Sequence, residues 1–186
     1  PLGIYDMMPA RNLPDQKAPF EVTYYEPAGM PLRPSIYGTG EMVPVRYGGN
    51  DIETLGAAGS WLATAPDLMR LLLAVDGLSY NEDILSDESV MFMTDTNNKF
   101  APVGWKTSYL DGNWVRTGSF AGTAGMMKRP PNGISWVVLL NSSAWNGPEL
   151  SSDIDQMMSK FLSRVKDWPQ NDLFSYSVPV PIKVKG

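Results

Sequence analysis

Neither cysteine nor histidine occurs in this sequence of 186 residues. Without cysteine there is no disulfide framework and no thiolate nucleophile. Without histidine, a Ser-His-Asp triad, a Cys-His pair and most zinc sites are excluded within the chain. Acid–base chemistry is left to Lys, Tyr, Asp and Glu. Long apolar runs are also lacking: the longest, around residues 68–75, is broken by Arg70 and falls far short of the roughly 20 residues of a bilayer-spanning helix. Positive charge is scarce, with 15 Lys and Arg against 20 Asp and Glu and a net charge of -5. The clustered basic residues of a nucleic-acid footprint are missing. No charged-then-apolar leader opens the chain, and the Pro1-Leu2-Gly3 start reads as a cut rather than a natural beginning.

Apolar residues make up 43% of the chain and charged residues 19%, the balance of a folded protein rather than a disordered one. The length fits a single domain. Within residues 1–186 the sequence divides into an irregular Pro/Gly-rich segment (1–50), a helical segment (51–100), an antiparallel sheet with a C-terminal helix (101–168) and a tail (169–186). In the first segment Pro9, Pro14, Pro19, Pro27, Pro31, Pro34 and Pro44 recur too often for a helix. Only Phe20-Glu21-Val22-Thr23-Tyr24-Tyr25 has the β-branched and aromatic composition of a strand.

Two helices are expected next. One spans residues 65–75, with Thr64 as N-cap, Pro66 and Asp67 in the first turn, a Leu68/Leu71/Leu72/Val75 face and Gly77 as the stop. The other spans 86–93 from a Ser86 cap. Strands are expected over 107–110 and 114–117 around Asp111-Gly112-Asn113, and over 122–129 and 134–140 around Asn132-Gly133. The last of these is apolar on both faces and reads as a central strand. A helix over 149–166 carries the stripe Ile154, Met157, Met158, Phe161, Leu162, Val165 and Trp168, which should lie across the sheet. The fold class is α+β, an antiparallel sheet packed against helices.

One stretch carries chemistry: Arg116-Thr117-Gly118-Ser119, on a strand between Gly104-Trp105 and Gly122-Thr123. Taken alone it also fits an exposed strand charge beside a glycine bulge. In its context, with the following hairpin, the C-terminal amphipathic helix, the Leu55-to-Arg70 segment of glycine, tryptophan and a capped helix, Pro1-Leu2-Gly3-Ile4 and Tyr47-Gly48-Gly49, the chain resembles the penicillin-recognising serine hydrolases, specifically the class C β-lactamase and esterase-like branch. That family has a Lys-Thr-Gly or His-Thr-Gly triplet on the strand lining its cleft.

The resemblance implies a partial β-lactamase/transpeptidase-like fold, an acyl-enzyme mechanism on a β-lactam, a D-alanyl peptide or a small ester, no cofactor or metal, and a periplasmic or extracellular setting. It implies that Arg116, Thr117 and Gly118 bind substrate and that the backbone amide of Ser119 is an oxyanion donor. Arg at the first position of the triplet departs from the commoner Lys or His and acts only as a permanent charge and hydrogen-bond donor.

The family's nucleophile is a serine one helical turn before a lysine. The single Ser-x-x-Lys match, Ser163-Arg164-Val165-Lys166, sits off the apolar stripe near a helix end, where water keeps the lysine protonated. Tyr-x-Asn is absent. The expectation is therefore a C-terminal portion that is inactive by itself, partnered by a missing N-terminal half and dimerising or rearranging without it. The alternative is a non-catalytic module that binds a cell-wall peptide or a protein through an exposed strand edge. Trp105 and Trp114 either line the cleft or are buried beside the sheet; Tyr24, Tyr25 and Tyr47 either shape its rim or do not. The methionines are expected to fill gaps, and Asp153 and Asp155 to be solvated helix charges.

Overall fold

Proline and glycine limit the first 60 residues to pairings two residues long, so side chains must satisfy much of the backbone there. The computed structural model describes residues 2–79, 81–97, 99–100, 102–108, 112–131, 134–144, 147–170 and 174. Pro1, Leu110, Asp111, the Asn132-Gly133 turn and all of the 171–186 tail except Phe174 lie outside them. Two hubs organise the early segment. The Asn12 side-chain oxygen accepts from the Ile52 and Glu53 amides at 2.7 and 3.1 Å, and its nitrogen donates to Asp51 at 3.1 Å.

The second hub is Arg46, which reaches Glu21 at 3.2 Å and the Arg11 carbonyl at 3.1 Å, with its side chain 4% exposed and that of Glu21 3%. Its guanidinium lies 4.3 Å from the Tyr24 ring centre and 5.2 Å from that of Tyr47, a cation–π enclosure. Glu26 accepts from the Arg46 amide. Burial raises the Tyr24 hydroxyl above its usual pKa, and the Glu21 carboxylate adds to the shift.

This hub explains why residues 20–25 are not the expected strand. Phe20 takes a positive φ of 68°, which ends extended geometry, and Glu21 and Tyr24 turn in to Arg46. Only Tyr25 reaches the main sheet, in an isolated parallel bridge to Ser142. The segment does hold short pairings: β1 (Met8–Pro9) with β4 (Trp61–Leu62), and β2 (Arg33–Pro34) with β3 (Met42–Val43).

Helix α1 (Ala65–Leu73) begins as read, with a reciprocal Thr64/Asp67 capping box. It ends at Ala74, earlier than expected, and Gly77 serves the following turn with a φ of 67°. Helix α2 (Asp87–Thr94) starts from Ser86, whose hydroxyl accepts from the Ser89 amide.

The main sheet is an antiparallel meander in the order β5 (Thr107–Ser108), β6 (Trp114–Phe120), β7 (Thr123–Arg129), β8 (Trp136–Leu140). Two-residue alternation sorts its side chains. Trp114, Met127 and Val137 pack with Leu72 of α1, Val90 of α2 and Trp105. Met126, Trp136, Val138 and Leu140 pack on the opposite face against Leu150, Ile154, Met158 and Leu162 of α3 (Gly147–Leu162). Strand β8 is thus apolar on both faces because helices cover both. It is not central: among the described residues it pairs only with β7.

The C-terminal helix also departs from expectation. It stops at Leu162, where Arg164 and Val165 bond back three residues to Phe161 and Leu162, the tightened last turn of a helix end. Its stripe is wider than the sheet it meets. Met157 and Phe161, 54% and 61% exposed, lie off the contact, and Trp168 is also exposed. Asp155 is not a solvated charge but pairs with Lys128 at 2.7 Å.

Under the far end of the sheet, Arg129 is buried with its guanidinium 4.3 Å from the Trp114 ring centre, donating to the carbonyls of Asp76 and Gly112 at 3.0 Å each. Burial pushes the Asp76 carboxyl above its ordinary pKa; its bond from the Leu78 amide opposes the shift.

Two expectations follow. Replacing Arg46 by Met strands the buried Glu21 carboxylate and costs about 3–5 kcal/mol in urea unfolding, and the double change with Glu21→Met recovers most of that loss. Asp76, with a folded pKa above its unfolded value, favours folding fully below the unfolded pKa, and this contribution is lost as pH rises through the folded one. Asp76→Asn should therefore gain stability relative to the parent chain as pH rises from about 3 to about 7, read from paired denaturation curves.

Candidate functional site

The site begins with an irregularity in β5. Thr107 is in register with Val115, and the Lys106 amide donates to the same Val115 carbonyl at 2.8 Å. Two residues oppose one, which is a bulge, and bulges terminate pairing and redirect side chains. Among the described residues no strand pairs with β6 on this side beyond Val115. Arg116 to Phe120 consequently have β7 on one edge and, among the described residues, no paired strand on the other.

Backbone direction alternates along a strand, so the edge a residue faces can be counted. The Val115 carbonyl faces β5; Thr117 and Ser119, two and four residues on, turn their amides and carbonyls to the same open edge. Ser119 therefore offers its N–H outward, as an oxyanion donor must. Arg116 and Gly118 face β7 with their backbones. The alternation also separates side chains that the sequence reading placed together. Arg116 and Gly118 belong to the sheet face covered by α1, with Trp114, and Thr117 and Ser119 to the face covered by α3, with Val115. The two sets meet only across the open edge.

A groove of about 680 Å³ lies over this part of the sheet and reaches its open edge, bringing Arg116, Thr117, Gly118 and Ser119 together with Lys106, with Ala124 and Gly125 of β7, with Met30, with Ser143 and Ala144 after β8, and with Leu150, Ser151 and Ile154 of α3. Arg116, Gly118 and Ser119 are exposed in it, and Thr117 is half-buried. Gly118 is the informative member. It does not adopt a positive φ, and a Cβ built on it would meet nothing within 4 Å. A strand interior loses roughly 0.5–1 kcal/mol by carrying glycine in place of alanine, and neither backbone geometry nor packing asks for it here. The hairpin glycine next to it is the opposite case: Gly122 has a φ of 78°, and a Cβ there would lie 2.9 Å from Tyr24 Cβ.

Other candidates fall away from the groove. Trp105 and Trp114 are buried, their rings 5.7 Å apart. Tyr24 and Tyr47 enclose Arg46 rather than a cleft rim. Ser163 is exposed just past α3 and donates its hydroxyl to the Lys160 carbonyl at 2.9 Å, which is no approach to Lys166. Among the described residues there is no cluster of three or more acidic side chains able to hold a metal ion, and no helix is long and apolar enough to cross a membrane.

The sequence reading did not find the walls contributed by Met30 and α3, which depend on tertiary placement. Lys106 had a signal, its position directly after Gly104-Trp105. Comparison with protein-family models, curated proteins and solved structures finds no match to this chain.

The contrast between the two glycines is measurable. Gly118→Ala should stabilise the chain by about 0.5–1 kcal/mol, and Gly122→Ala should destabilise it by about 1–2 kcal/mol. Chemical denaturation of the two variants beside the parent checks both signs.

Proposed function

We propose that this chain is the C-terminal portion of a β-lactamase-like or penicillin-binding-protein-like serine hydrolase, with the corresponding partial fold, and that it forms the substrate-side wall of the active site. What supports this reading above all is Gly118: an exposed glycine in the middle of a strand, without conformational or packing need, on the rim of a groove. A missing side chain at that point lets an acyl group lie against the backbone.

The chemistry follows from the edge. The outward Thr117 and Ser119 groups form hydrogen bonds with an extended substrate as an added strand does. The Ser119 amide donates to the oxygen on which charge develops when the carbonyl is attacked, where a fixed dipole is worth more than water. Arg116 holds a carboxylate with its planar fork and remains charged throughout. The nucleophile comes from residues outside this chain, since neither Ser163 nor Lys166 lines the groove and the Ser163 hydroxyl is spent on the Lys160 carbonyl. The intact hydrolase acts on a β-lactam, a D-alanyl peptide or a small ester in the periplasm or outside the cell. The open edge also favours a second reading, a non-catalytic module that holds a cell-wall peptide by strand addition, because backbone recognition needs no nucleophile.

An amide NMR titration with an acylated D-alanyl-D-alanine tests the wall. The signals of Thr117 and Ser119 should shift, and Gly118→Val should remove the response; shifts confined to other elements would refute it. In parallel, a fluorescent penicillin should leave no covalent label on the isolated chain. A label that disappears in Ser163→Ala would overturn the placement of the nucleophile outside the chain.

A further inference from the structure

The charges of the groove point to a ligand property that the triplet alone does not. The chain carries a net charge of -5, yet the charged side chains among the described residues lining the groove are Lys106 and Arg116, without a carboxylate. Neither takes part in an ion pair among the described residues, whereas Arg11, Arg46, Arg70 and Lys128 each have an acidic partner. Both are exposed. Their backbones are neighbours, since the Lys106 amide bonds to the carbonyl of Val115, the residue before Arg116. Two unpaired like charges at one strand edge repel each other, a cost that a ligand anion removes.

We infer that the groove selects a dianionic ligand, an acyl compound with two carboxylates, in which Arg116 takes one carboxylate and Lys106 the other. Lys106 is the specificity-determining residue of the pair. The bulge gives it that role: the extra residue that ends the β5–β6 pairing is a lysine, and it is among the residues lining the groove. Arg supplies a rigid fork for bidentate contact, and Lys a mobile point charge that follows the second group over a range of lengths. This inference rests on the proposed substrate wall and names its preferred ligand class.

The test compares N-acetyl-glutamate with N-acetyl-glutamine, which differ by one negative charge, by amide NMR titration of the whole chain at fixed ionic strength. The dianion should bind about tenfold more tightly, the size of one favourable charge-assisted contact. Lys106→Gln should bring the ratio to about one, and Lys160→Gln, which removes the same charge from the later part of α3, should leave the ratio in place. Equal binding of both ligands at β6 by the parent chain overturns the inference and leaves the wall standing, as does a ratio that survives Lys106→Gln. Absence of any response at Thr117 and Ser119 overturns both.

Discussion

A single extra residue, Lys106 directly before β5, controls the geometry on which the candidate site depends. Because Lys106 and Thr107 share Val115 as partner, the ladder cannot run on in register, and the polar backbone of Thr117 and Ser119 is left facing a groove. An unpaired strand edge is ordinarily a hazard, an invitation to any extended chain. Here it is short, flanked by two cations and walled by the start of α3, so what can pair with it is restricted in length and charge. The rest of the fold supports that edge from behind: β7 holds β6 over its full length, and α1 and α3 clamp the sheet from its two faces.

The first 60 residues solve a different problem by different means. With prolines denying regular ladders, Arg46 and Asn12 tie distant points of the chain together. Arg46 satisfies a carboxylate, a carbonyl and two aromatic faces; Asn12 binds the backbone of a segment 40 residues on. Such hubs concentrate stability in a few buried polar contacts, each costly to break because its partner would be left buried without compensation. The consequence reaches the sheet. Tyr24 and Tyr25 lie over Gly122 at the β6–β7 hairpin, and Tyr25 bonds the chain just beyond β8, so the irregular segment braces the end of the sheet where the hairpin and the end of β8 meet.

What could be read from the residues was what local physics decides. Thr64, Asp67 and Ser86 announce helix starts because capping involves only neighbours in sequence, and both starts fall where expected. The strands of the sheet were legible from alternation and composition, but β6 runs on to Phe120 and turns at Ala121-Gly122, where no turn is read from the residues. Errors arose where a residue's partner is far along the chain. Residues 20–25 have strand composition but are recruited by Arg46. Strand β8 looked central because burial on two faces does not reveal whether the neighbour is a strand or a helix. Met157 and Phe161 continue a stripe that the sheet is too narrow to cover. In the site, the Arg116-Thr117-Gly118-Ser119 stretch was visible as a motif, but not that its side chains divide between two faces, nor that Lys106 stands beside it; both depend on the register across β5 and β6.

The groove also runs against the stability of the fold, and this is the physical reason to treat it as functional. A mid-strand glycine, an open edge with polar backbone and two unpaired cations each cost free energy in the isolated chain. None of the three is compensated by a contact among the described residues. A core or a turn offers no explanation for Gly118, and Lys106 and Arg116 line the same groove without a carboxylate among its described lining residues. The three liabilities share one position and one remedy: an extended acyl anion would fill the space over the glycine, pair the edge and neutralise the charge at the same time. Local rules of folding are broken at functional sites because the ligand completes what the chain leaves open, and in this chain the breaks fall on Arg116 to Phe120 of β6 and on Lys106 beside it.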